Sequence, residues 1–336
     1  MNEEFAVVDQ QAAQALFDAL PAEMRWPTLS PAYVAADANR DPALLPIFMA
    51  SRQGDGFLMH AVHESPVAIV AGCDWQSAYG YGGPIAHGLD ADGWQRAWRG
   101  LDTVAAQRRV VAEFVRFHPM TANHAHYPGT VSEDRAVCAI DLSSGDMLAS
   151  YSGRARTAVR KAQRLGLQAT WETPEDACAL FPDFYRSSMR EIGADEHYLF
   201  GDSYFESVLR LPGARVLQVA QGGERVSMGL FLFGPKQVEY HLSGTTPAGR
   251  QAGATNLLLH IAAEAGQAAG CSALYLGGGT SASADDPLLR FKASFAPAGL
   301  SFRIGHRIHD PAAYARLRAA YPALASGSRR VLFYRS

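Results

Sequence analysis

Residues Leu288–Phe295 read Leu-Leu-Arg-Phe-Lys-Ala-Ser-Phe and follow closely on a triple glycine, Gly277–Gly279. Asp286 can cap a helix at this point, and Pro287 suits its first position. On such a helix Leu288, Phe291, Lys292 and Phe295 share one side at i, i+3, i+4 and i+7. Lysine prefers water, so a lysine set among aromatics is a chemical candidate. In a partly dry cleft its ammonium can stabilise negative charge developing on an oxygen. Taken alone, this helix is read more simply as carrying a lysine whose stem lies along apolar surface and whose head reaches solvent.

A second basic element precedes it. The stretch Ser152–Leu165 carries Arg154, Arg156, Arg160, Lys161 and Arg164 with no acid among them. Arg156, Arg160 and Arg164 share a stripe at i, i+4, i+8, while Ala155, Ala158, Val159, Ala162 and Leu165 form the apolar side. Like charges at that spacing repel by a few tenths of a kcal/mol each. An anion on the stripe would relieve this, and arginine forks suit phosphates and RNA backbones. A solvated basic face answered by acids elsewhere explains the run equally well. The loop Tyr79-Gly80-Tyr81-Gly82-Gly83-Pro84 offers close backbone approach and two phenols, although its composition is also that of a tight turn. In Tyr240-His241-Leu242-Ser243, strand alternation puts Tyr240 and Leu242 on one face and His241 and Ser243 on the other. Arg250–Thr255 precedes a helix whose N-terminus could face a phosphate.

The elements that must position these residues occur in the same order twice. Gly56–Val62 and Pro66–Cys73 read as strands around a turn at His63–Ser65, followed by the Gly-rich loop, a helix near Ala91–Gln107 and a strand Val110–Phe117. Later come strands Ala214–Ala220, Glu224–Phe233 and Gln237–Ser243, a helix Thr255–Ala269 and a strand Ala273–Leu276. Cys138–Leu142 reads as a short strand, and Ser143–Gly145 as a turn. Two α/β domains are expected, 1–145 and 146–336, the second opening on a helix Met147–Leu165. A helix Pro311–Tyr321 and a strand Arg329–Tyr334 close the chain.

Composition is that of an ordinary globular protein, with 48% hydrophobic and 19% charged residues among 336. A net charge of −3 gives no general pull toward DNA or anionic membrane. No secretory signal or transmembrane segment is expected, and a cytoplasmic location is. The four cysteines are isolated, and His118, His124 and His126 lack the spacing of a metal site.

Taken in order, Tyr79–Pro84, Val115-Arg116-Phe117-His118-Pro119, Arg156-x-x-x-Arg160-Lys161-Ala162-x-x-x-Gly166, Tyr240–Gly244, Asn256-Leu257-Leu258, Gly277-Gly278 and Phe291-Lys292-x-x-Phe295 resemble the FemAB-like transferases of the GNAT-like superfamily. The resemblance runs from about residue 55 to about 300. It implies two GNAT-like domains, each a mixed, mostly antiparallel sheet flanked by helices. It implies transfer of an aminoacyl or acyl group from aminoacyl-tRNA or acyl-CoA to an amine, with tRNA a possible partner and no permanently bound cofactor. Lys292 would stabilise the carbonyl oxygen of the reacting ester, with Phe291 packed beside it. Tyr79, Tyr81, Arg156, Arg160, Lys161, Tyr240, His241, Ser243 and Asn256 would contact substrate. The chain lacks the long charged helical hairpin of larger members, and it carries acids at Glu191, Asp195 and Glu196. The alternative from another class is a non-catalytic module of the same fold that binds a phosphate-bearing ligand or RNA.

Overall fold

In the computed structural model, which describes residues 5–143, 145–326, 328 and 330–335, helices start where short polar side chains can satisfy the first free amides. Asp9, Ser30, Asp90, Thr173, Thr246 and Asp310 each accept an N–H from the first turn that follows. The chain divides into two compact units. One holds residues up to Pro21, Thr28–Asp134 and the tail from Phe302; the other holds Ala22–Pro27 and Arg135–Ser301.

The first unit begins with β1 (Ala6–Val8), α1 (Gln10–Asp18), α2 (Pro31–Asp37), β2 (Leu45–Gln53), β3 (Gly56–Val67), β4 (Gly72–Gln76), β5 (Ile85–His87), α3 (Ala91–Gln107) and β6 (Val110–Phe117). The elements that follow are β7 (Thr130–Asp141), α4 (Met147–Ser150), α5 (Gly153–Arg164), β8 (Gln168–Trp171), α6 (Pro174–Glu191), α7 (Asp202–Val208), β9 (Ala214–Gln221), β10 (Glu224–Phe233), β11 (Gln237–Thr245), α8 (Pro247–Ala252), α9 (Ala254–Ala268), β12 (Ala273–Gly278) and α10 (Pro287–Lys292). The tail adds β13 (Leu300–Ile308), α11 (Pro311–Ala320) and α12 (Pro322–Ala325).

In the first unit the strand order is β1-β2-β3-β4-β6-β13, with β5 also on β3; in the second it is β7-β12-β11-β10-β9-β8. Within each unit one neighbouring pair is parallel, β4 with β6 and β11 with β12, and the other pairs are antiparallel. The strand pairing within each unit is therefore mixed and mostly antiparallel, as expected. In the first unit α3 buries Ala97, Leu101 and Val104 against Met49, Leu58, Val62 and Trp75. In the second, Val159 of α5 and Leu257, Leu258 and Ala262 of α9 meet Leu217, Val219, Phe231, Val238 and Leu274. No described helix is long and apolar enough to cross a membrane.

Several expectations fail for identifiable reasons. The units do not follow a single cut at residue 145, because β13 pairs with β6 from Arg303↔Phe117 to Ile308↔Ala112 and takes the tail into the first unit. The turn at His63–Ser65 is instead mid-strand. Two of its polar groups find partners there: His63 Nε2 lies 2.8 Å from Val34 O, and Glu64 accepts from Arg108 and Trp75. The helix expected at Met147–Leu165 is broken before Ser152, whose hydroxyl caps α5 at Ala155 N (3.3 Å). Leu165, assigned to the apolar side, is 46% exposed. Arg329 lies outside the described residues; Val331–Arg335 form turns and a short 3-10 helix, not a strand.

That tail is clamped. Arg335 Nε donates to the fully buried Asp74 Oδ2 at 2.6 Å, and its Nη2 donates to Ser65 O and Pro66 O. Removing one partner of such a pair strands a buried charge. Arg335→Ala should lower stability by about 3 kcal/mol in urea unfolding, and adding Asp74→Asn should restore part of the loss. A loss below about 1 kcal/mol would show that the clamp contributes little.

Candidate active site

The parallel pairing of β11 with β12 covers only Gln237↔Ala273, Val238↔Leu274 and Glu239↔Tyr275. Beyond it the strands part. β12 shifts register and continues on β7 through Gly277↔Cys138 and Gly278↔Val137, while β11 stays on β10 as far as Thr245. Beyond Glu239 and Tyr275 no ladder joins the two strands, which leaves Tyr240–Ser243 on β11 and Leu276–Gly278 on β12 unpaired with each other.

α10 sets a lysine where the two strands part. The Asp286 carboxylate fixes the helix start: Oδ1 accepts from Leu288 N and Leu289 N at 2.9 and 3.0 Å. Oδ2 accepts from the amides and hydroxyls of Thr280 and Ser281 at 2.8–3.0 Å. Burial alone would raise the pKa of Asp286, but these donors outweigh it and hold the group well below the usual carboxylate range. A Cβ on Gly279 would lie 2.3 Å from Asp286 Oδ1, so this position requires glycine. Lys292, at the end of the helix, is 9% exposed. Its Nζ donates to Gly278 O at 2.8 Å and lies 6.0 Å from the ring centroid of Tyr240. Burial pushes its pKa down from 10.5 to about 8, against the opposing pull of Cys138 and Asp286.

The wall opposite departs from strand alternation. Phe231 pairs with Tyr240 and Leu230 with Leu242, so His241 is the extra residue of a β-bulge. The bulge returns Ser243 to the side of Tyr240, and the two hydroxyls are hydrogen-bonded. Tyr240 stacks on Phe231 with centroids 5.3 Å apart, and burial pushes its phenol up to about 12. His241 turns the other way and meets Tyr204 Oη through Nε2 at 2.7 Å. The expected grouping of Tyr240 with Leu242 and of His241 with Ser243 is therefore corrected. Thr255, at the start of α9, bonds Thr245 at 2.8 Å, and Thr245 bonds Ser227 at 2.8 Å. Asn256 beside it is half-buried in the same turn.

The basic helix α5 divides. Arg156 donates to Ala149 O and Tyr151 O, closing the end of α4. Lys161 Nζ donates to Gln251 O at 2.8 Å. Arg160 and Arg164 are exposed and, with Thr157 and Gln163, line an open depression. The three-arginine stripe is thus two surface arginines and one helix clamp. Against the middle of α5, Gly253 sits at φ +80, and a Cβ there would lie 2.9 Å from Ala158 O. α5 therefore lies directly on the start of α9.

Lys292, Phe291, Tyr240 and Ser243 come together in the second unit. The ring nearest the ammonium is Tyr240, while Phe291 packs edge-on to Phe295 at 5.6 Å. Tyr79 and Tyr81 belong to the first unit. Their loop is knitted to β6: Gly82 N donates to Arg116 O at 2.7 Å, and Asn123 Nδ2 donates to Gly82 O at 2.9 Å. Tyr79 N donates to Asp37 Oδ2 at 2.8 Å, and Tyr81 packs edge-on to His118 at 5.0 Å. The turn-like composition of Tyr79–Pro84 is accounted for by this pairing. His124 and His126 go to separate aromatic partners, Phe117 and Trp94.

Residues 149–293 match the acetyltransferase (GNAT) domain family. No curated protein matches the sequence. The chain is similar in fold to the crystal structure of FemX, at TM-score 0.68 and 11% identity over 96% of this chain and 100% of that one. It is also similar to L-PGS from Bacillus licheniformis, at TM-score 0.59 and 13% identity over 98% and 99% of the two chains. A tandem GNAT protein from the clavulanic acid biosynthesis pathway matches at TM-score 0.50 and 12% identity over 92% and 99%. The tandem GNAT-like fold expected from the ordered motifs is borne out.

The depressed lysine has a consequence for stability. Below about pH 8 the folded chain must hold a buried charge; above it the amine sheds its proton, while the unfolded chain keeps its proton to 10.5. Stability contributed by Lys292 therefore rises as pH climbs from about 8 toward 10.5. Relative to Lys292→Met, wild type should gain roughly 1 kcal/mol or more in urea unfolding between about pH 7 and pH 9.5. A difference that stays flat or falls with pH contradicts the burial argument.

Proposed function

We propose that this chain, which carries a GNAT acetyltransferase domain at residues 149–293 on the fold of FemX, transfers an aminoacyl or acyl group from an activated ester or thioester to an amine. The observation that carries this reading is the buried ammonium of Lys292, held between Gly278 O of β12 and the Tyr240 ring of β11. The donor carbonyl lies there against Tyr240–Ser243. The amine attacks the carbonyl carbon and its electrons move onto the oxygen, where the Lys292 ammonium meets the developing charge. Collapse expels the ribose hydroxyl or thiol and releases the amine proton. An activated ester asks mainly for positioning and electrostatics, which a fixed, buried cation supplies. With its pKa near 8, Lys292 is largely charged at neutral pH.

Two features favour an aminoacyl ester of tRNA over acyl-CoA as donor. α5 lies on the start of α9, with Ala158 O against Gly253 and Lys161 bonded to Gln251 O, which leaves little room there for a nucleotide pyrophosphate. Arg160 and Arg164 remain exposed on α5, where an extended phosphate backbone can reach them. In this reading Tyr240 and Ser243 position the donor, Asn256 faces its leaving group, and His241 acts from the opposite face through Tyr204.

Donor consumption measured in parallel with charged tRNA and with acyl-CoA, over a panel of small primary amines, tests the reading. Charged tRNA should be consumed faster, and Arg160→Glu should weaken its binding about tenfold and flatten the salt dependence. Faster acyl-CoA consumption would reverse the donor assignment. Consumption of neither would leave a binding module on a GNAT-like fold.

A further inference from the structure

The first unit contains a cation without an anion. Arg116 extends from β6 with its guanidinium carbon 4.8 Å from the Phe114 ring. Among the described residues the guanidinium makes no hydrogen bond and no ion pair, and the side chain is half-buried. Arginine stays charged in proteins, and desolvated charges are as a rule paired. Its neighbours make this more pointed. Arg40, at the end of α2's following turn, and Arg330, on the tail, lie close enough for their positive charges to press on it. The carboxylate within range is Asp37, and its Oδ2 is already engaged. It accepts from Arg40 Nε at 3.1 Å and from Tyr79 N at 2.8 Å, and lies 3.6 Å from His63 Nδ1.

Three guanidinia thus lie near one carboxylate, whose Oδ2 is taken and whose Oδ1 is buried without a hydrogen bond. The backbone around them is fixed. Arg116 N donates to Ser77 Oγ at 3.0 Å, its carbonyl accepts from Gly82, and Tyr33 Oη donates to Tyr79 O at 2.8 Å. The arrangement is therefore built, not a loose surface run. We infer that Arg116, with Arg330 and Arg40 around it and the Tyr79 phenol alongside, forms an oxyanion-binding site in the first unit for the phosphate or carboxylate of a small molecule. A planar fork suits either group through paired N–H donors. The site stands on this charge imbalance and does not rest on the transferase reading.

Calorimetric titration of the full chain at low salt, with inorganic phosphate in one arm and succinate in the other, tests it without any turnover. Wild type should bind at least one of them in the millimolar range, and the tighter arm names the class. Arg116→Gln should weaken that binding about tenfold or more, the scale of one charge-assisted bond. Arg330→Gln, at an exposed position that leaves the melt unchanged, should weaken it several-fold. Lys292→Met should bind as wild type does, so that failure here and failure of the transferase reading are distinguishable. No binding in either arm, wild-type binding by both arginine variants, or loss of binding in Lys292→Met would each overturn the proposal. If Arg116→Gln does not fold, the Arg330→Gln titration decides.

Discussion

In the second unit β11 and β12 share a parallel ladder for three residue pairs and then separate, and the candidate chemistry follows from that separation. Two irregularities coincide with it. The register shift between Tyr275 and Gly277 commits the end of β12 to β7, and the bulge at His241 commits β11 to β10. A gap between hydrogen-bonded strands exposes backbone that a ligand can meet, and it gives α10 a place to insert a side chain. Lys292 fills that place because Asp286 fixes both the loop before it and the first turn of its helix. The cost of holding an ammonium there shows in its lowered pKa, and the carbonyl of Gly278 and the ring of Tyr240 offset part of it.

The parallel pair of the first unit takes another course. Ser77 N donates to Phe114 O and Gly82 N to Arg116 O, so the segment after β4 keeps its hold on β6 and no comparable separation forms. Its buried polar groups are tied to one another. Glu113 accepts from Tyr127 Oη at 3.0 Å and contacts His60 Nε2 at 2.5 Å. Burial would raise the pKa of Glu113, but His60 and His309 outweigh it and keep the group ionised. The two units thus share strand order and differ in what the parallel pair is free to do.

Much of this was legible in the sequence because local rules decide it. The cap at Asp286, the helix at Ala91–Gln107 and the strand Val110–Phe117 depend on residue type and period, and the structure reproduces them. What was not legible depended on partners distant in sequence. Nothing near His63–Ser65 reveals that Val34, Arg108 and Trp75 will partner His63 and Glu64 in mid-strand. The alternation at Tyr240–Ser243 fails because a bulge is a property of two strands, and the signal sits in the pairing with β10. Arg156 looks like Arg160 until the carbonyls of Ala149 and Tyr151 are seen beside it. The tail's return to the first unit is a question of sheet partners, which residue patterning does not encode.

The central claim is that the Lys292 ammonium acts on a developing oxyanion. Single-turnover transfer by Lys292→Met, measured beside wild type with saturating donor, tests it most directly. The account predicts a loss of about 10²–10³ in rate with donor affinity changed far less, because the interaction strengthens only as charge develops. It also predicts that the wild-type rate falls as pH rises through about 8, where Lys292 loses its proton, and that the variant lacks this fall. A methionine variant that folds and turns over at the wild-type rate would contradict the account.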